Sequence, residues 1–376
     1  MDDLRLRAAD PATAPGEAVP TLRELRLRYD LSSGSVTACL RTLSEEGVLV
    51  TVPRVGAFFA LPTQQRPPTF LLAVEDDLEH SAPLVGTLTR VRSAFERRCA
   101  QLGGASLFVG LSRLRDTAYR RGLPAISGVF AWTEEREPLP AWLPTSDVHQ
   151  VRLASRAPDR AGDAGVPVID RVDMDQVGGG RAAVEHLVHL GHRRIAFLGL
   201  HGRPVDDHHW SRAREQGWQA GLAGTGSAAG PTYLPARQPI RGDDELVAAR
   251  EPAGRLVAEL DDTGVTAVVG ANNEAVAALL EALAAGAMHP NRWPAVVGFD
   301  TGRDLGNDFV SSIQSPYEEM GRAAATLLWQ RHSGQLTGPA TARILAMTPI
   351  PRLSSHSAWK ATLPDTNAVP IPSTTA

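Results

Sequence analysis

Apolar residues recur at two different periods along this chain, and the change of period divides it. Between residues 21 and 47 the period is helical: Leu22, Leu25 and Leu27 mark the apolar side of a short helix opened by Thr21. Val36, Cys39, Leu40 and Leu43, at i, i+3, i+4 and i+7, mark a second helix that starts at the Ser32/Ser33 cap and stops at Gly47. The stretch "YDLSS" turns the chain between them, a helix-turn-helix outline. Behind Gly47, "VLVTV" and "GAFFA", joined by "PRV", predict a hairpin beside the second helix, a wing. Next, "LPTQQRPPT" (61 to 69) is polar and proline-broken, and reads as a linker.

From residue 70 short apolar or β-branched runs alternate with longer amphipathic stretches. Strands are predicted at 70–74, 106–109, 126–132, 148–153, 195–198, 266–269 and 295–299, and helices at 84–102, 179–190, 212–222, 245–260, 273–285 and 317–330. That alternation predicts βα units around mainly parallel sheet, with enough units for two halves. Beyond about residue 357 the tail "AWKATLPDTNAVPIPSTTA" has no period and reads as disordered.

Composition narrows the function classes. With 376 residues, 43% of them hydrophobic, the chain can bury a large core and fill two or three domains. A formal net charge of −4 excludes a generally basic nucleic-acid coat, so any DNA contact must come from a local patch. The two cysteines, Cys39 and Cys99, sit in amphipathic patterns without metal-ligand spacing, as expected of free thiols in a reducing compartment. No apolar signal core opens the sequence and nowhere do eighteen apolar residues run together, so a cytoplasmic protein is expected, without a membrane span.

Candidate chemistry follows from the strand ends, because open parallel sheets bind ligands beyond the carboxyl ends of their strands. Those ends carry Glu75, Asp76 and Asp77, the run from Gly199 to Arg203, Asn272 with Asn273, and Asp300, with Arg214 on the helix that follows the second of these. Carboxylates, amides and a guanidinium there would suit a polyhydroxylated ligand, and Trp132, Trp210 and Tyr317 could pack against a sugar ring. Strand-end Asp and Asn residues also serve as plain turn and cap formers. The set Gly178, Gly180 and Ala183 satisfies the dinucleotide spacing G-x-G-x-x-A, but no acidic residue closes a following strand, and the glycines read better as the start of a helix packed on the sheet. His186, His189 and His192 lie in a helix and its cap, which favours a structural role over a metal, and "DDHHW" (206 to 210) reads as a polar loop. No nucleophile elbow, phosphate loop or H-E-x-x-H motif is present, so neither an enzyme nor a cofactor is expected.

The run "PGEAVPTLRELRLRYDLSSGSVTACLRTLSEEGVLV" resembles the GntR family of winged helix-turn-helix regulators over roughly residues 15 to 60. The resemblance implies DNA contacts from Arg23, to phosphate, from Ser32, Ser33, Ser35, Thr37 and Arg41 on the reading helix, and from Arg54 and Gly56 in the wing. Ser33 and Thr37 stand where that family commonly has arginine, and Arg54 where it commonly has glycine. The arginines of this segment are nearly balanced by Glu24, Asp30, Glu45 and Glu46, which predicts modest affinity per subunit and a dimer on two half-sites.

The later runs "VDMDQVGGGRAAVEHLVHLGHRRIAFLGL", "RAREQGWQAGL", "TAVVGANNEAVAALLEALAAGA", "PAVVGFD" and "SSIQSPYEEMGRAAATLL" look like the effector domain of the LacI/GalR family, a two-lobed fold similar to periplasmic sugar-binding proteins. By position Arg214, Asn272 and Asp300 match that family's effector-binding residues, with Asp76 and Asp175 matching less closely, while Gln176 replaces an asparagine and Ser315 a glutamine. Together the two segments resemble the arabinose-repressor type of bacterial regulator. The expectation is an α/β protein with a winged headpiece at 1–60, a linker at 61–69, a two-lobed effector and dimerisation domain at 70–357, and a disordered tail. Such a protein would be a homodimeric repressor of operator DNA released by a sugar-like effector held by Asp76, Asp175, Trp210, Arg214, Asn272, Asp300, Ser315 and Tyr317. The alternative is a sugar-binding or enzymatic α/β protein whose N-terminal segment only makes protein contacts.

Overall fold

The computed structural model describes residues 2–10, 13–14, 16–52, 55–60, 67–75, 82–121, 123–132, 148–153, 169–201, 209–236, 245–286, 289–300 and 309–356. The chain divides into two units, Met1–Pro68 and Thr69–Ala376. Most of the linker, the tail from 357, Arg54 and Asp76 lie outside the described residues.

In the first unit α1 (Asp2–Ala9), α2 (Leu22–Tyr29) and α3 (Ser33–Glu45) precede an antiparallel hairpin, β1 (Leu49–Val52) with β2 (Gly56–Phe59), in register Leu49 with Phe59. The starts of α2 and α3 have a chemical cause. Thr21 Oγ1 accepts from the Glu24 amide while the Glu24 carboxylate accepts from the Thr21 amide, a full capping box. Ser32 Oγ accepts from the Ser35 amide at 3.1 Å and opens α3. Leu4, Val19, Leu25, Val36, Leu43, Leu49 and Phe59 form one small core. Leu27, expected on the buried side of α2, is instead 77% exposed, and Leu22 is exposed as well. Two residues along a helix is a rotation of about 200°, so Leu27 stands opposite the buried Leu25.

The second unit holds two six-stranded sheets. The first runs in the order β13 (Ala342–Leu345), β7 (Asp170–Met174), β6 (His149–Leu153), β5 (Ile126–Trp132), β3 (Thr69–Val74), β4 (Ala105–Gly110), all parallel. The second runs β14 (Thr348–Ile350), β12 (Ser311–Gln314), β11 (Ala295–Phe299), β10 (Ala267–Gly270), β8 (Arg194–Leu198), β9 (Ala228–Tyr233), with only β14 antiparallel. Central strands such as β3 are buried at every residue because helices cover both faces. On the first sheet Phe70, Leu72 and Val74 face one core and Leu71 and Ala73 another. Each of the larger of these buried side chains, Phe70, Leu71, Leu72 and Val74, contributes about 1.5–3 kcal/mol.

The helices are α4 (Ala82–Gln101), α5 (Leu111–Arg115), α6 (Thr117–Arg121), α7 (Gln176–His189), α8 (His209–Thr225), α9 (Glu245–Ala258), α10 (Leu260–Thr263), α11 (Asn273–Ala285) and α12 (Tyr317–His332). The path crosses between the sheets three times: after β7 at Asp175, after β12 at Ser315 and Pro316, and between β13 and β14. Helix α12 returns to pack on α4 against the first sheet. Strands β7, β9, β12, β13 and β14 were not expected. β7 carries Arg171 and Asp173, β12 is mostly hydroxyls and amide, and β9 contains Gly230 and Pro231, so none of these three has an apolar run to signal it, while β13 and β14 are only four and three residues long.

Candidate functional site

Two surfaces, one in each unit, gather the residues singled out above. In the first, Ser32, Ser33 and Ser35 at the start of α3 and Thr37 and Arg41 further along it are all exposed, while the helix buries Val36 and Leu43. Their hydroxyls are partly committed within the helix: Thr37 Oγ1 donates to the Ser33 carbonyl at 2.9 Å, and the Ser32 and Ser35 hydroxyls pair at 2.9 Å. Arg41 lies 3.8 Å from Glu45, both well exposed. Other cations are tied down: Arg5 to Asp2 and Glu46, Arg7 to Glu17, and Arg28 to Asp3. Among the described residues Arg23 and Arg26 of α2 make no ion pair, and both are exposed. Gly56 has φ 146°, a backbone conformation that favours glycine whatever it touches.

In the second unit the crossing segments and the carboxyl ends of β10, β11 and β12 converge on Arg214. Its guanidinium, 5% exposed as a residue, lies between the rings of Trp210 (4.9 Å) and Phe299 (4.1 Å). Nε donates to Gln176 Oε1 at 2.7 Å, Nη1 to the Ala271 carbonyl, and Nη2 stands 4.0 Å from Asp300. Burial lowers the Arg214 pKa, and the negative charges of Asp300, Glu245 and Glu274 oppose that shift. Asp300, at φ 56°, accepts from the Ser315 amide (2.7 Å), the Ser315 hydroxyl (2.8 Å) and the Tyr317 hydroxyl (3.0 Å). Burial first, then the Asp300 charge, raises the Tyr317 pKa, so its hydroxyl stays protonated and donates. Arg214, Asp300, Ser315 and Tyr317 are thus one connected group, with Trp210 half-buried at its side.

Asn272 sits nearby in a different role. Its Oδ1 caps α11 through the Ala275 amide at 2.9 Å, while Nδ2 donates to Glu245 at 2.7 Å. Asp175 caps α7 through the Gly178 amide at 2.7 Å. Trp132, offered above as a sugar platform, is 8% exposed and packs in the core of the first sheet. Sequence reasoning missed Glu245 and Phe299, and treated Gln176 only as a replacement. Their pairing with Asn272 and Arg214 spans up to 85 residues of chain and leaves no local signal.

A buried cluster next to Trp210 and Arg214 on α8 was also unforeseen. His201 Nδ1 meets Ser211 Oγ at 3.0 Å, His201 Nε2 meets Glu215 at 3.0 Å, and the Leu200 amide donates to Ser211 Oγ at 3.0 Å. The order Ser, His, Glu imitates a nucleophilic triad, but Ser211 is fully buried and its oxygen already accepts a backbone bond. The cluster clamps the end of β8 to α8, through residues one place after Trp210 and Arg214 on the same helix.

The glycine spacing has a packing cause. A Cβ on Gly180 would stand 2.1 Å from the Arg214 carbonyl oxygen, and one on Gly217 would stand 2.0 Å from that of Val177, so α7 and α8 touch through their backbones. The expected packing of that helix start on the sheet holds for Gly179, which faces Phe299 and Ile313, but Gly180 faces α8. His186 pairs with Ser355 (2.8 Å) and His192 with Thr266 (3.2 Å), directions that do not converge. Of "DDHHW" only Trp210 has a described side chain.

Residues 2–59 match the family model for bacterial regulatory proteins of the gntR family, and residues 184–355 match a periplasmic binding protein-like domain. The HTH-type transcriptional regulator CelR of Thermobifida fusca is 32% identical over 179 residues, 46% of this chain and 49% of CelR, so the matched stretch spans about half of that relative. Among solved structures, a transcriptional regulator CelR–cellobiose complex aligns over 89% of this chain and 100% of its own, at 23% identity and a TM-score of 0.56. A LacI-family regulatory protein from Chloroflexus aggregans aligns over 76% of this chain and 98% of its own, at 20% identity and TM-score 0.57. The lac repressor dimer bound to operator and the anti-inducer ONPF aligns over 78% of this chain and 99% of its own, at 17% and 0.56.

Proposed function

We propose that this chain, which joins a GntR-type winged helix-turn-helix headpiece to a periplasmic-binding-protein-like domain of LacI/GalR kind, is a DNA-binding transcription regulator controlled by a sugar. One observation carries the reading: a helix pair with one polar, exposed helix face shares its chain with a polar group, Arg214–Asp300–Ser315–Tyr317, assembled where two parallel sheets are joined by three crossings. Residues 1–60 are the headpiece, 61–69 the linker and 70–357 the effector and dimerisation domain. Arg23 holds phosphate, and the exposed side of α3 with Arg54 of the wing meets the groove.

A sugar entering the cleft takes its hydrogen bonds from Arg214, Asp300, Asn272 and the strand-end carboxylates Asp76 and Asp175, and packs on Trp210 and Tyr317. It changes DNA affinity only by binding two arrangements of the lobes unequally. The chain acts as a cytoplasmic homodimeric repressor, and catalysis has no part in it. Cellobiose, bound in the CelR structure, is the first effector to try.

The test is fluorescence anisotropy on labelled DNA from the region upstream of its own gene, at fixed salt, with cellobiose and a panel of other sugars. Saturable binding released by one sugar is expected. Arg214→Ala should abolish release and leave basal binding, whereas Arg23→Ala should weaken binding to all sequences alike. Binding no tighter than to random DNA would overturn the reading.

A further inference from the structure

The buried stripe of α3 consists of positions 36, 39, 40 and 43, of which Val36 and Leu43 are fully buried and Cys39 and Leu40 half-buried. The same spacing shifted by two residues, Gly34, Thr37, Ala38 and Arg41, lies about 200° around the helix. All four of those residues are exposed. They form the stripe that a major groove would meet first, and its chemistry is unusual for a DNA reader. It holds one cation, two methyl groups and one position without a side chain.

Gly34 has room to spare: a Cβ there would find nothing nearer than Ser32 Oγ at 3.9 Å. Its bareness leaves space for close approach of the helix. Thr37 spends its hydroxyl hydrogen on the Ser33 carbonyl at 2.9 Å, so outward it offers a γ-methyl and an oxygen lone pair, without a free donor. Ala38 adds a second methyl beside it. Arg41 supplies the only cation of α3, held 3.8 Å from Glu45 by an exposed ion pair that is cheap to exchange. In the major groove the thymine C5-methyl is the one apolar feature among base edges, and guanine O6 and N7 form the acceptor pair that a guanidinium matches.

We infer that each headpiece reads its half-site through a thymine methyl met by Thr37, with Ala38 beside it, next to a single guanine met by Arg41. The Thr37–Arg41 separation, four residues or about 6 Å along the helix, spans one to two base pairs. Specificity therefore rests on one methyl contact and one guanidinium contact per half-site. Each half-site of its operator holds one contacted thymine and one essential guanine. This inference rests on the DNA-binding reading above.

The test keeps the full chain and changes single atoms of the DNA. A bound sequence is selected from random duplexes, and each thymine is then replaced by uracil, which removes the methyl and leaves every hydrogen-bonding group. Anisotropy titration should show about 3- to 10-fold weaker binding at one or two thymines per half-site and none elsewhere. Thr37→Ser keeps the hydroxyl and its bond to Ser33 but lacks the methyl, so it should bind the thymine and uracil duplexes alike at one of those positions. Replacing one guanine per half-site by 7-deazaguanine should weaken the parent protein and leave Arg41→Gln unaffected. Uracil tolerated everywhere, or a uracil penalty unchanged by Thr37→Ser at every position, would overturn the inference while leaving DNA binding intact. Failure to select any sequence over random DNA would overturn both.

Discussion

Replacing Gly180 with alanine tests how Arg214 is positioned. Alanine is the better helix former by about 1 kcal/mol, so propensity alone predicts a gain. The structure predicts a loss. The new Cβ would stand 2.1 Å from the Arg214 carbonyl oxygen and 3.0 Å from the Trp218 amide nitrogen, against an ordinary contact of 3.4–4 Å. Relief requires α7 and α8 to part by more than 1 Å, and the obstacle is helix backbone, which cannot rotate away as a side chain can. Overpacking of this kind costs about 1–3 kcal/mol and here falls on the residue that carries the buried guanidinium. Set against the propensity gain, this leaves a net loss of up to about 2 kcal/mol, which should lower the melting temperature of the large unit by up to roughly 8 °C. It should also weaken effector binding, because a shift of about 1 Å breaks the 2.7 Å bond from Arg214 to Gln176. Gly254 is the control: it lies inside α9 with nothing within 4 Å of an added methyl, so Gly254→Ala should be neutral or stabilising. The measurements are calorimetric melting and isothermal titration with the effector. Equal stability gains for Gly180→Ala and Gly254→Ala would refute the argument from backbone contact.

Further expectations follow from caps and ionisable groups. Thr21→Ala removes the capping box of α2 and should cost the headpiece about 1 kcal/mol, read as a lower melting transition of residues 1–60. Burial raises the Asp170 pKa, but hydrogen bonds from Arg331 (2.7 and 2.8 Å) and from the Thr341 amide and hydroxyl outweigh it, so the net shift is downward from 3.8. A depressed carboxylate stabilises above its unfolded pKa and loses that contribution as pH falls through the folded one. The stability gap between the parent and Asp170→Asn should therefore narrow below about pH 4 in denaturant titrations, and a gap constant from pH 7 to 3 would contradict it. Burial pushes the Cys99 thiol up to about 12, so at pH 8 a disulfide reagent should modify the half-buried Cys39 in the native protein and reach Cys99 only on unfolding.

How much could be read beforehand depends on how far apart the interacting residues lie. The seven expected strands and six expected helices of the large unit all form, as do the two helices and hairpin of the small one, because each advertises itself by a local period or cap. Strands β7, β9 and β12 gave no such signal, since their burial comes from neighbours far away in sequence, and β13 and β14 are short and largely exposed edge strands. Ser311, for example, is buried and bonds Ser354 and Ser355, over 40 residues on. At the polar group the sequence supplied Arg214, Asp300, Ser315 and Tyr317 as candidates, and the bonds between them came from the fold. Gln176, Ala271 and Phe299 reach Arg214 from three separate elements, and Ser315 and Tyr317 reach Asp300 across a crossing. The same division explains Leu27, whose place in an apolar pattern was legible but whose exposure was settled by which side of α2 meets the core. Local periodicity and capping are properties of neighbours along the chain, so the sequence by itself determined those elements that carry such a signal and the division into two units. Which polar groups are buried together, and which glycines admit no side chain, depend on the meeting of distant backbones, and only the tertiary structure decided those.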